Sequence, residues 1–396
     1  MTKHGDRSVQ LLVVGAGPVG LFAGLCAARE GLAVELIDQT FRGFGRGYAT
    51  LLHPSSVRLL DEVGVLKELQ KVGREVHGVG INADGAPRVH LTLPSPALSV
   101  PQSALEEALL TALRDAGVDV SAPCEATTIQ QDASKVRLRV VRKELVTLGS
   151  PADYSEWQAV DSSLVTADYV IGADGYESRV RAALGIDVAT LGATETFAMF
   201  ETPAHAETSA DVEIGFAGEL ASAVVPLPNS RARLGFQLRS GLDLEPDEKR
   251  LHELMTERAP WFHDGMHRVD WSSVIHFERR LVRRFGSGRV WLAGDAAHVT
   301  SPFGAQSMNI GFSEAHDFVQ RIAACLRGHT VPAALGDYGA VREREWHKLL
   351  GVNAKFDLLA HAPPWLAARA RRIASVLPAS GADLRDLLRQ LGLAVT

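Results

Sequence analysis

A chain of 396 residues, 46% hydrophobic and 22% charged, holds enough apolar material for two associated cores, which excludes a largely disordered, collagen-like or polytopic membrane protein. Its formal net charge of −6 provides no overall field for nucleic acid. Glycine, at 36 of 396 or about 9%, exceeds the typical ~7%, so the places where glycine falls carry information.

Val9–Val14 is a short apolar run ending in glycine, the mark of a buried parallel strand. Val19–Glu30 reads as a helix stopped at Gly31, and Ala33–Ile37, closed by Asp38, as a second buried strand. The uncharged stretch Leu11–Ala28 reaches the length of a membrane span, or of a signal peptide behind Lys3 and Arg7. Gly15, Gly17, Pro18, Gly20 and Gly24 break it into strand, turn and helix, so a cytoplasmic protein without a membrane span is expected. Pro54–Val63, Val65–Val72 and Ser103–Ala116 read as helices; in the last, Ser103 three residues before Glu106 suggests a capping box, and Gly117 a stop. Alternation from Val136 to Val170, with a polar interruption at Gly149–Ser163, predicts an antiparallel hairpin or three-stranded flap.

From 190 to 280, Phe197–Glu201, Val212–Phe216, Ala221–Leu227, Arg233–Arg239 and Ser273–Glu278 read as strands around one helix, Pro246–Arg258. Val290–Ala293 is another buried strand, and the remainder to Thr396 reads as helical. The order α/β, β-rich, α/β implies a second domain inserted into a nucleotide-binding one.

Gly15-Ala-Gly17-Pro-Val-Gly20 fits the dinucleotide fingerprint between a strand and a helix. The first glycine permits the turn, the second lets backbone approach a pyrophosphate, and the third lets helix and strand pack closely. Asp38 ends the next strand, where it can accept from a ribose hydroxyl. Two further strand tips repeat the device: Tyr169–Gly172 runs into Asp174-Gly175, and Val290–Ala293 runs into Gly294-Asp295. The second leads through Pro302-Phe-Gly-Ala-Gln-Ser-Met-Asn309 into a helix. Three acid-bearing tips suit an elongated ligand such as FAD better than a compact one.

Together with Gly43-Phe-Gly-Arg46-Gly-Tyr-Ala-Thr50 and Val100-Pro-Gln102-Ser-Ala-Leu-Glu106, these segments resemble the FAD-dependent aromatic hydroxylases, the single-component flavoprotein monooxygenases typified by para-hydroxybenzoate hydroxylase. The resemblance covers about 8–75, 100–186 and 285–325. The fold class expected is α/β: a Rossmann-like FAD-binding domain (1–75, 100–186 and 285–396), an inserted β-sheet-rich substrate domain (76–99 and 187–284) and a helical C-terminal end.

The resemblance implies that Gly15, Gly17 and Gly20 approach the pyrophosphate and Asp38 the adenosine ribose, while Arg46 and Gln102 contact the flavin's phosphate and ribityl parts. It places Asp174 and Gly175 near the pyrophosphate and Asp295 on ribityl hydroxyls. Pro302 would line the isoalloxazine beside the substrate; Gly304, Ala305, Ser307, Met308 and Asn309 would set amide donors and a helix N-terminus at the pyrimidine edge, where reduced flavin is anionic. The reaction implied is hydroxylation of a phenolic or heteroaromatic small molecule with O2, through a flavin hydroperoxide, with NADPH or NADH as reductant. Alternatives on the same fold are a flavin-dependent halogenase or a prenyl-chain reductase, and from another class a non-catalytic flavin-binding protein. The assembly expected is a monomer or homodimer, with no nucleic-acid partner.

The chain departs from the family at Ser307, usually glycine, at Glu314, usually aspartate, and at Gln39, where a basic residue is common. Other signals carry less. Cys26, Cys124 and Cys325 form no Cys-x-x-Cys pair and read as small buried hydrophobes. The arginines at 279, 280, 283, 284 and 289 read as a solvated turn, and His263 and His267 specify no third ligand, so no metal is expected. Arg233, Gln237 and Arg239 give one strand a polar face, read as solvent-exposed; Trp365–Arg372 reads as a basic amphipathic surface helix.

Overall fold

The computed structural model describes residues 6–40, 51–83, 86–148, 154–204, 211–239, 245–262, 268–329, 334–349, 355–360 and 362–395. β1 (Arg7–Val14) ends in four consecutive buried residues because both of its faces are covered. α1 (Pro18–Arg29) begins at Pro18, whose fixed φ suits a first helical turn. β2 (Val34–Ile37) returns parallel to β1, so the uncharged stretch is strand, turn and helix as its glycines imply. α2 (Gln102–Asp115) packs on α1. The proposed capping box does not form: Pro101 is the cap residue, without a side-chain cap bond, and Glu106 instead accepts from Gln102 at 2.8 Å.

A long hairpin follows, β3 (Val136–Leu148) and β4 (Tyr154–Gly172), with Cys124–Gln131 as a third antiparallel strand. The polar stretch up to Ser163 is strand from Tyr154 onward, because both faces of the outer ladder meet water and need no apolar alternation. β5 (Glu195–Pro203) and β6 (Arg231–Leu238) lie in a second sheet. β7 (Val290–Leu292) rejoins the first, giving the order β7-β4-β1-β2, all parallel, with Val120–Ser121 beyond β2. Four parallel strands therefore end along one edge, at Val14, Ile37, Gly172 and Leu292, the side where such sheets bind ligands. α3 (Gln306–Leu326) packs on α1 through Phe312 and Phe22, ring centroids 5.0 Å apart. α4 (Ala334–Leu349) buries Tyr338 and Trp346 against it.

The second sheet has eight strands: Trp271–Phe277, β5, β6, Leu220–Leu227, Val212–Ala217, Arg74–Ala83, Val89–Ser99 and Leu51–Leu52. One face, including Phe200, Leu234 and Phe236, packs on helix Glu248–Arg258 through Leu251 and Leu254. The other carries Phe197, Met199 and Gly235 toward Phe303. That face corrects the solvent reading of β6. Arg233 is buried, pairs with Glu201 and lies 5.7 Å from the centroid of Trp271; Gln237 is buried and donates to Glu195 at 3.0 Å; of the three polar residues only Arg239 is exposed. Neighbouring strands and α5 (Ala370–Val376) supply the partners of Arg233 and Gln237.

The C-terminal region is also not wholly helical, since Phe356–Leu358 pairs with Leu393–Val395. The 3-10 turn Pro364–Arg369 leads into α5, and Arg369 and Arg372 engage the second sheet at Gly218 and Glu219. Cys26 and Cys124 are buried and Cys325 is half-buried, all three as free thiols. Among the described residues no helix is long and apolar enough to cross a membrane.

Phe312 is fully buried at the α1–α3 contact, so Phe312→Ala is expected to destabilise the protein by about 3–5 kcal/mol, read as a lower urea midpoint with a similar slope.

Candidate functional site

The strand tips are built by crowding. Gly15 has φ +107°, and a Cβ there would sit 2.3 Å from the carbonyl oxygen of Ala173, which follows β4. A Cβ on Gly20 would sit 1.9 Å from the oxygen of Gly15. Only glycine lets α1 and two strand ends meet this closely. Gly17 differs: an added Cβ would meet no protein atom within 4 Å, and the residue borders a cavity of about 590 Å³.

That cavity runs along the carboxyl ends of β1, β2, β4 and β7 and is lined by Gly15, Gly17, Asp38, Gln102, Asp174, Gly175, Asp295, Pro302, Ala305, Ser307 and Met308. Arg46 lies outside the described residues, as do His263 and His267. No cluster of three potential metal ligands occurs among the described residues.

The three acids behave differently. Asp38 is buried and accepts from Ala16 N at 2.6 Å and from Thr40 N at 2.8 Å, which fixes the glycine turn to the end of β2. Asp174 accepts from Ser178 Oγ at 2.5 Å and from the amides of Arg179 and Val180 at 2.7 and 3.1 Å, capping the short helix Arg179–Ala183. Burial raises its carboxyl, and those bonds oppose the shift. Asp295 makes no hydrogen bond or ion pair with any described residue, yet it lines the cavity. Its side chain is exposed to the cavity, yet the protein crowded around it raises its carboxyl above the ordinary aspartate range; His298 opposes the rise and Glu314 adds to it.

Glu314, fully buried on α3, accepts from Gly294 N at 3.0 Å, His298 Nε2 at 2.8 Å and Trp346 Nε1 at 2.8 Å. Burial alone would raise its carboxyl, but the His298 charge and the His298 and Trp346 hydrogen bonds hold it below the ordinary glutamate range.

The loop into α3 is pinned at several points. Ala305 takes the left-handed conformation at φ +48°, unusual without glycine. Ser307 Oγ accepts from Thr300 N at 3.0 Å, so the serine holds the two ends of the loop together. Asn309 faces away from the cavity: its Oδ1 accepts from His53 N at 2.7 Å, and its Nδ2 donates to Leu51 O at 2.9 Å and Ala305 O at 2.6 Å. Gly304 also sits behind the wall, where a Cβ would lie 2.7 Å from Ser375 O, and its carbonyl bonds His53 Nε2 at 2.8 Å. His53 is fully buried, and burial lowers its pKa to about 4 against the opposing Gly304 bond. The first-turn amides of α3, which lack intrahelical acceptors, border the cavity at Gln306, Ser307 and Met308.

Sequence reading missed Glu106, Glu125 and Arg179, which also line the cavity. Glu106, four residues after Gln102 on one helix, was detectable by spacing. Glu125 pairs with Lys143 and, at 2.5 Å, with Arg179; those residues are too far apart in sequence for spacing to connect them. The basic residues at 279–289 separate in space: Arg280 lies over Tyr176, Arg289 over Tyr169, and Arg284 donates to Leu184 O. A second cavity, about 410 Å³, adjoins the first and shares Thr300, Ser301 and Gln306 with it.

A family model described as "FAD binding domain" matches residues 8–350. The chain is 27% identical over 345 residues to 6-methylpretetramide 4-monooxygenase of Streptomyces rimosus, covering 84% of this chain and 59% of that protein. The solved anhydrotetracycline hydroxylase OxyS of Streptomyces rimosus superposes with a TM-score of 0.63 at 26% identity, covering 85% and 66% of the two chains. The p-nitrophenol 4-monooxygenase PnpA of Pseudomonas putida gives a TM-score of 0.71 at 19% identity over 97% of both, a likeness of fold. The residues present fit an FAD: a carboxylate that takes no hydrogen bond from any described residue, a glycine backed by open space and helix-start amides all border one cavity.

Gly17→Ala is expected to keep the melting temperature of the cofactor-free protein while weakening FAD binding; Gly20→Ala is expected to lower that melting temperature by several degrees. Equal loss of stability in both variants would contradict the division of labour. For His53 the folded pKa lies below its ordinary 6.5, so the unfolded chain takes up a proton that the folded one refuses. Stability is fully present above pH 6.5 and falls as the pH drops to about 4, by about 3 kcal/mol from this group. His53→Gln should flatten denaturant-derived stability across that window.

Proposed function

Because this chain belongs to the FAD binding domain family, the fold of the FAD-dependent aromatic hydroxylases, we propose that it is a monooxygenase using NADPH or NADH and O2 to hydroxylate an aromatic small molecule. The chain spans 59% of the length of the Streptomyces monooxygenase it matches, so the reading rests on this chain's own site. The observation that carries it is Asp295, a cavity-facing carboxylate that takes no hydrogen bond from any described residue, beside the start of α3. When bound, FAD supplies two-electron transfer from a nicotinamide and activation of oxygen.

Each strand tip has its own part. Gly17 leaves room for a pyrophosphate, and Asp295 accepts from ribityl hydroxyls. Asp38 accepts from the adenosine ribose with the lone pairs left by Ala16 and Thr40. The first-turn amides of α3 favour negative charge, and Ser307 holds them in place through Thr300. Gly304 and Asn309 act from behind by fixing the loop, while Pro302, on the cavity wall, faces the reacting ring. Phe303, buried between loop and sheet, keeps water from that side. The named substrates of the relatives, pretetramide and anhydrotetracycline types, support a phenolic or polyketide ring system for this chain.

Purified protein should carry FAD, and an accepted aromatic substrate should accelerate its oxidation of NAD(P)H with oxygenated product in place of released peroxide. If neither NADPH nor NADH reduced the bound flavin with any aromatic compound present, the reading would fail. Asp295→Ala should weaken FAD retention by about tenfold or more, measured by flavin fluorescence after gel filtration.

A further inference from the structure

β4 extends well beyond the sheet that supports it. Val165–Gly172 pairs with β1, whereas Tyr154–Leu164 has no partner strand on that side among the described residues. On its other side it pairs with β3, which is itself bare from Glu144 to Leu148, because Cys124–Gln131 reaches only to Arg142. The outer hairpin is thus a two-stranded ribbon with open backbone edges, a form that is marginal in water by itself. The β4 edge is the longer of the two and ends clear of any neighbouring strand until Val165.

The ribbon also carries apolar surface. Leu145 and Trp157 lie directly opposite each other across it, 56% and 54% exposed, and Val160 is exposed three residues further on. The other exposed large apolar side chains among the described residues, Val72, Tyr176 and Leu358, stand singly on separate elements. Within this sequence, the surface that can cover the Leu145–Trp157 pair is therefore the same pair on a second copy.

The open edge is self-complementary. Two antiparallel copies of β4 related by a two-fold axis at Trp157 set Trp157 opposite its own copy, Glu156 opposite Gln158 and Ser155 opposite Ala159. No like charges meet, and neither proline nor lysine guards the edge between Tyr154 and Leu164. Glu156 already accepts from Gln158 within one strand at 2.7 Å, and the pairing brings it a second Gln158. Leu145 and Trp157 share one face, so the joined ribbon carries both residues and their copies in a row across four strands. Four strands with an apolar row meet the requirement that the lone hairpin misses.

We propose that Tyr154–Val160 is a homodimer interface, through which two hairpins join as one four-stranded antiparallel ribbon about a two-fold axis at Trp157. So short an edge covers less than the ~1,200 Å² of stable complexes, which gives a dissociation constant of about 10 µM. The proposal goes beyond the oxygenase reading and uses none of its chemistry.

The test is sedimentation velocity on the purified protein with FAD added, from about 0.5 to about 100 µM, where monomer should give way to dimer. Trp157→Lys should raise the dissociation constant by about tenfold or more. Because Trp157 also packs on Leu145 within one copy, two milder variants read the register without disturbing the apolar row. Gln158→Lys places a lysine opposite each Glu156 and should tighten the dimer by about fivefold; Gln158→Glu should loosen it by a similar factor. A monomer at every concentration, a dimer that survives Trp157→Lys, or Gln158 variants that shift the same way would overturn the interface. Assemblies larger than two would break the two-fold closure and overturn it as well. A monomer that co-sediments with phosphatidylcholine–phosphatidylglycerol vesicles, and loses them with Trp157→Lys, would assign the pair to a membrane surface in place of a second copy. None of these readings depends on turnover, so failure of the oxygenase reading leaves the dimer test intact.

Discussion

Glu314 is the interaction on which the arrangement of the site depends. A fully buried carboxylate is tolerated only when its lone pairs are satisfied, and here three separate elements donate to it. Gly294 brings the tip of β7, His298 the strand that leaves it, and Trp346 the last turn of α4. His298 also stacks on Trp346 with centroids 3.7 Å apart. Since Gly294 directly precedes Asp295, the bond that anchors the first sets the position of the second. A side chain one methylene longer than the family's usual aspartate reaches all three donors from the body of α3.

The glycine tips act by exclusion where Glu314 acts by attraction. Gly15 and Gly20 are required by neighbouring backbone, whereas Gly17 answers only to space that protein does not fill. One fingerprint therefore contains two kinds of glycine, with structural and ligand-facing reasons kept apart. The same separation recurs in the loop before α3. Ser307 and Met308 border the cavity, while Gly304 and Asn309 stand behind it and bind the loop to His53 and Leu51.

Features governed by local pattern were legible in the sequence. The β-α-β unit, the two further acid-tipped strands and the strand-rich stretch between 190 and 280 all follow from period and punctuation within windows of a few residues. Features governed by distant partners were not. Arg233 and Gln237 look solvent-facing along their own strand, and their partners, Glu201, Glu195 and Arg372 among them, come from another strand and a distant helix. The outer part of the long hairpin escaped notice because a ladder wet on both faces, with Leu145 and Trp157 exposed, carries no alternating signature. The Ser103 cap failed through competition: Pro101 occupies the cap position and Glu106 is engaged by Gln102. Asn309 was read as a flavin contact, a role implied by motif; the staple to Leu51, more than two hundred residues away, appears only once the chain is folded.

The solitary carboxylate of Asp295 has a consequence for the protein's life before its cofactor arrives. The Asp295 carboxylate is exposed to a cavity of about 590 Å³, takes no hydrogen bond from any described residue, and can take one from a ligand bound there. Whatever satisfies that acid stabilises the folded chain by mass action, in proportion to the logarithm of its concentration over its dissociation constant. Cofactor supply and survival against proteolysis are then one equilibrium, and a host short of flavin would hold less folded enzyme even at constant synthesis.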